Sequence, residues 1–186
     1  MKRKLLTLPF VALLALTLSS CPETTVSEEF GLTPVKLDKA EWQGRWIEAG
    51  KPDDEGFVFT IIDAAKGIFE ARGTGKEDKP LEVRIHSAGG PDDRLCFLTY
   101  TDKASAKRGP LHLITRPKDH VFVLWGPNHQ EMARGVKSGE LKGKLVKGDK
   151  DDHQHTELDS DPANYARLLE PRYWNWTEPD TFVRSR

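Results

Sequence analysis

Apolar and polar residues alternate in short runs through most of the chain. Leu81, Val83 and Ile85 take turns with Glu82, Arg84 and His86, the period-two pattern of a strand with one face in a core. Phe57 to Ile62 is apolar and β-branched, and Asp63 to Gly67 reads as a hairpin turn into a strand from Ile68 to Arg72. Leu95 to Thr101 is a further strand. Leu111 to Thr115 and His120 to Trp125 flank Pro117-Lys118-Asp119, where proline presets a turn, so these form a hairpin. Glu131 to Val136 and Leu141 to Val146, separated by Lys137-Ser138-Gly139, read as a second hairpin. Earlier, a short helical turn over Val35 to Ala40 leads into a strand from Glu41 to Ile47. There Trp42, Gly44 and Trp46 alternate with Gln43 and Arg45, so that both indoles share one face.

Up to nine short strands, punctuated by Gly, Pro and Asp, predict a mainly β fold built as an antiparallel meander. Closing into a small β-barrel removes the exposed edges, and an open sandwich is the alternative. Gly148 to Asp161 reads as a charge-rich spacer. Asp161 then suits an N-cap with Pro162 at the first helical position. Tyr165, Leu168 and Leu169 fall on one face before Pro171 stops the run, which predicts one short C-terminal helix. The tail from Tyr173 to Val183 carries Trp174 and Trp176, too aromatic to stand in water, and is expected to pack on the domain and close one end of the barrel.

The first residues break this pattern. Lys2, Arg3 and Lys4 precede an uncharged run from Leu5 to Leu18, followed by Ser19, Ser20 and Cys21. This is the charged, apolar and small-residue order of a secretory signal, and the apolar run falls short of the roughly 20 residues that span a bilayer. Leu18-Ser19-Ser20-Cys21 resembles the lipobox of bacterial lipoproteins. The resemblance implies cleavage before Cys21 and a diacylglycerol on its thiol, with palmitate-type acyl chains holding the protein on a membrane. In the proteobacterial members an aspartate after that cysteine favours the inner membrane; here Pro22 stands there, so the resemblance points to the outer membrane, facing the periplasm. The expected division is therefore a signal peptide over 1–20, a flexible tether over 21–34, where the sequence is polar and acidic, and one β-rich domain over 35–186.

Charge and cysteine content narrow the chemistry. The chain has 28 cations and 29 anions, and loss of Lys2, Arg3 and Lys4 leaves 25 cations, a mature charge of about −4 with His neutral. Such a balance argues against nucleic acid as a partner, since a phosphate backbone requires a basic face. With Cys21 committed to lipid, Cys96 has no cysteine to pair with, and its setting in Leu95-Cys96-Phe97-Leu98 suits a buried, inert thiol.

Gly44-Arg45-Trp46, on an early strand of an all-β chain, resembles the Gly-x-Trp signature of lipocalins. The resemblance implies a ligand-holding barrel with Trp46 as the plug of its closed end; a tryptophan filling some other β-core is the plainer reading of the same residue. Asp151-Asp152-His153-Gln154-His155 is the one stretch with metal-ligand character, because His153 and His155 lie on one side of an extended segment. A solvated acidic spacer is the alternative. His86, His112, His120 and His129 are scattered and read as ordinary surface histidines. The chain contains no Gly-x-Ser-x-Gly elbow, no HExxH helix and no Walker loop, and no motif calls for a cofactor.

These readings converge on a lipid-anchored envelope protein serving as a binding or interaction module, for a small apolar ligand or for an envelope protein partner. A metal-binding or hydrolytic enzyme using the His153/His155 region is the alternative.

Overall fold

The structure, a computed structural model, describes residues 23–51, 56–74, 79–89, 94–101, 107–147 and 154–185. The signal stretch, Cys21 and His153 lie outside the described residues.

Eight antiparallel strands close into a barrel: β2 (Gly44–Glu48), β3 (Gly56–Asp63), β4 (Ile68–Gly73), β5 (Leu81–Ser87), β6 (Leu95–Thr101), β7 (Arg108–Thr115), β8 (Val121–Trp125) and β11 (Asp180–Arg184). Each pairs with the next in that order, and β11 pairs back onto β2, so the ring has no open edge. Alternation places one face inside: Phe57 and Phe59 from β3, Phe69 and Ala71 from β4, Val83 and Ile85 from β5, and Phe122 and Phe182 across the ring are buried together. The β3–β4 turn is made locally. Asp63 Oδ1 accepts from the backbone amides of Ala65 and Lys66, and Gly67 has a φ of +67°, where a Cβ would lie 2.5 Å from the Ile85 carbonyl oxygen.

Three further strands extend the sheet outward from β7: β1 (Thr24–Ser27), β10 (Gln154–Leu158) and β9 (Gly143–Lys147). β1 runs antiparallel to β7 and parallel to β10. Against one face of this extension and the outer face of β6 and β7 lies a second core, in which Val26, Phe97, Leu111, Leu113, Leu158 and Tyr173 are buried. It is covered by α2 (His129–Ser138), α3 (Pro162–Arg167) and a 3₁₀ turn (Pro171–Tyr173).

Several sequence expectations are corrected. The segment 21–34 is not a free tether where it is described, because Thr24 to Ser27 forms β1 and Phe30 is fully buried, edge-on to Tyr165 at 4.9 Å and Phe97 at 5.3 Å. Part of the supposed spacer forms β10, with Thr156 and Leu158 buried. Glu131 to Val136 is helical rather than a strand. Asn128 caps it by accepting from the Glu131 amide, Gly139 ends it at a φ of +80°, and Met132 and Val136, one turn apart, face the second core. Six residues of alternating character fit either period, and the caps decide.

Trp42 ends the short helix α1 (Lys39–Trp42), capped by Asp38, and the strand starts at Gly44; both indoles nevertheless enter the barrel core. The tail packs as expected at Trp174, whose Nε1 donates to the Leu168 carbonyl, but Asp180–Arg184 enters the barrel wall rather than closing an end. The C-terminal helix begins as expected, with Asp161 accepting from Ala163 N at 2.8 Å and Pro162 at its start.

One barrel end is closed by the chain before β2. Val35 N donates to Ile85 O and Leu37 N to Ala64 O, both at 2.9 Å, while the Arg184 guanidinium donates to the carbonyls of Ala40 and Gln43. Among the described residues no helix is long and apolar enough to cross a membrane.

Candidate binding site

Towards the opposite end the barrel interior is not filled. A cavity of about 100 Å³ remains, walled by Phe57, Phe59, Phe69, Phe122 and Phe182, and its polar lining groups are Tyr100, His112 and Asp180. The aromatic wall is itself packed, with Phe59 and Phe69 centroids 4.6 Å apart and Phe122 and Phe182 stacked at 4.8 Å, so the cavity has a preformed shape.

His112 reaches the interior because Leu111 and Leu113 on either side of it belong to the second core, which leaves it on the inward face with Ile114. Burial, aided by the nearby His129, pushes its pKa down to about 4, so the imidazole is neutral at neutral pH. Its Nδ1 is buried with no hydrogen-bond partner among the described residues. The Tyr100 ring lies 5.7 Å from that of His112, centroid to centroid. Burial, reinforced by the Glu23 carboxylate, holds the phenol protonated well above its ordinary range. Asp180 stands two residues from Phe182 on the inward face of β11; burial raises its pKa, opposed by Lys51.

The wall forks beside His112. β7 pairs with β1 over residues 108–110 and with β8 over residues 113–114, so His112 sits where the partner changes. Because Thr25 lies opposite Pro110, Glu23 and Thr25 continue the face that carries His112, and beyond them His155 and Glu157 on β10 continue it again. The barrel's inner face thus runs outward onto a polar ledge. Burial raises the Glu23 pKa against the influence of His155, and burial together with His155 lowers that of His129. Thr24 Oγ1 and His129 Nδ1 share a 2.9 Å hydrogen bond.

Of the residues singled out from sequence, Trp46 is fully buried in the barrel core, donating from Nε1 to the Trp42 carbonyl at 2.9 Å and packing on Phe122 at 4.8 Å. His155 is half-buried on the ledge, beside Glu23 and His129. Among the described residues no group of three or more His, Cys, Asp or Glu side chains could hold a metal ion. His86 and His112 do not read as ordinary surface histidines: His86 is 5% exposed, and His112, half-buried, lines the cavity beside Tyr100. Cys96 is buried, its thiol directed at the Arg94 carbonyl. Tyr100, His112 and Asp180 were not identified as site residues from sequence; the one local signal was a histidine set between leucines in an apolar strand.

No protein-family model, curated protein or solved structure matches the chain.

Proposed function

We propose that this chain is a lipid-anchored protein of a bacterial envelope whose barrel holds a small, largely apolar ligand. The observation that carries the reading is the aromatic cavity with three convergent polar groups, the composition expected of a ligand site: apolar walls for affinity and a few polar groups for orientation. Its volume, about 100 Å³, is of the order of an engineered protein cavity that takes up benzene, which suits a single ring or a short chain. In this reading Trp46 plugs the closed end, with Trp42 behind it, and Cys21 carries the acyl anchor that keeps the domain at the outer membrane, facing the periplasm.

Native mass spectrometry of the full chain, exported by a bacterial host and kept from detergent, tests the ligand. A co-purified small molecule that is lost on filling the cavity with Leu98→Trp supports the reading; a chain that carries no mass beyond its covalent anchor and takes up no small aromatic or short-chain compound overturns it. Incorporation of labelled palmitate that disappears in Cys21→Ser tests the anchor separately.

A further inference from the structure

Resting on that reading, we infer that the barrel's ligand is a small organic amine: its ammonium set against Asp180 and its apolar body held among the phenylalanines.

Three observations favour an amine over the other heads an apolar molecule can carry. First, among the described residues neither lysine nor arginine lines the cavity, so on those residues a carboxylate or phosphate head finds no counter-charge and faces Asp180. Second, Asp180 forms no ion pair or side-chain hydrogen bond among the described residues. Lys51, the cation that influences it, lies outside the lining and sits 4.0 Å from Glu48. A half-buried carboxylate left this way is costly until a cation reaches it. Third, the walls beside Asp180 are aromatic. Phe182 shares its strand and its inward face, and Phe57 lies 6.2 Å from Phe182 between centroids. Phenyl faces attract an ammonium that has left water, whereas they offer nothing specific to an anion.

His112 and Tyr100 add polar lining without adding charge. The His112 Nδ1 is buried with no partner among the described residues, the residue lines the cavity, and the ring is kept from becoming a cation that would repel the ligand. A neutral imidazole and the protonated Tyr100 phenol, side by side, hydrogen-bond a polar substituent without repelling an ammonium.

Three probes with the same ring and nearly the same length separate the cases: 2-phenylethylamine, 2-phenylethanol and phenylacetate, titrated calorimetrically into the full chain without detergent. The amine is expected to bind roughly tenfold or more tighter than the alcohol, with phenylacetate weakest. Asp180→Asn, close to isosteric, is expected to remove that preference and leave the alcohol unchanged. In the unsubstituted protein the amine's affinity is expected to fall as pH drops through the raised Asp180 pKa while the alcohol's stays level, a readout that needs no variant. Equal binding of alcohol and amine, tighter binding of phenylacetate, or equal weakening of amine and alcohol by Asp180→Asn overturns the amine assignment and leaves the cavity reading standing. If none of the three binds and no small molecule co-purifies, the cavity reading itself falls.

Discussion

Replacing His112 by leucine is expected to make the protein less sensitive to mild acid. The native imidazole titrates at about 4, against an ordinary value of 6.5, because burial and the neighbouring His129 oppose its charge. Between those two values the unfolded chain takes up the proton and the native chain does not, so stability is full above pH 6.5, falls as pH decreases, and levels off below 4. For one such group the loss between pH 7.5 and pH 5 is about 2 kcal/mol. His86 and His129, also lowered by burial, add to the acid sensitivity; Glu23 and Asp180, whose pKa values burial raises, act in the opposite sense. Comparing the two proteins at both pH values cancels these contributions to the extent that they do not depend on residue 112. Urea unfolding followed by tryptophan emission should show His112→Leu gaining about 2 kcal/mol on the parent protein between pH 7.5 and pH 5. A difference that does not change with pH would refute the claim that His112 is held neutral inside the barrel.

Two further expectations concern the parts that hold the barrel's surroundings in place. Asn164, fully buried, accepts from Lys142 N at 2.8 Å and donates to Lys142 O at 2.7 Å and Asp159 O at 2.8 Å; Asn164→Ala should cost about 2–4 kcal/mol in a denaturant titration and speed hydrogen exchange at the Lys142 amide. Arg184→Met removes the donors to the Ala40 and Gln43 carbonyls at the closed end. It should cost about 1–2 kcal/mol and shift tryptophan emission to the red as water reaches Trp42 and Trp46.

The sheet was legible wherever a strand carried its own alternation. Leu81 to His86 and Phe57 to Ile62 pattern themselves against a core without reference to anything distant, Leu95 to Thr101 is apolar enough to read as a strand although it is buried on both faces, and each is a wall strand of the barrel. The helix after Asp161 was legible for the same reason, since its cap, its proline and its apolar face lie within a few residues. By contrast, Thr24 to Ser27 and Gln154 to Leu158 are strands because they meet each other, in parallel, and because Thr25 finds Pro110. Neither carries enough apolar alternation to announce itself, so polarity made one resemble a tether and the other a spacer. The candidate site was hidden by the same rule. Tyr100, His112 and Asp180 come from three strands and converge only when the ring closes, and a polar residue in an alternating strand reads as solvent-facing until the opposite face proves to be a second core.

By itself, the sequence determined the mainly β class, the strand-and-turn order of most of the barrel, the C-terminal helix and the burial of both indoles, since these follow from local period and capping. Only the tertiary structure decided that the ring closes through Asp180–Arg184, that Glu131 to Val136 is helical, and that His112 faces inward. Those outcomes depend on which apolar surfaces meet across long separations in the chain, and burial against a distant partner is a property of the packed molecule that no short window of residues contains.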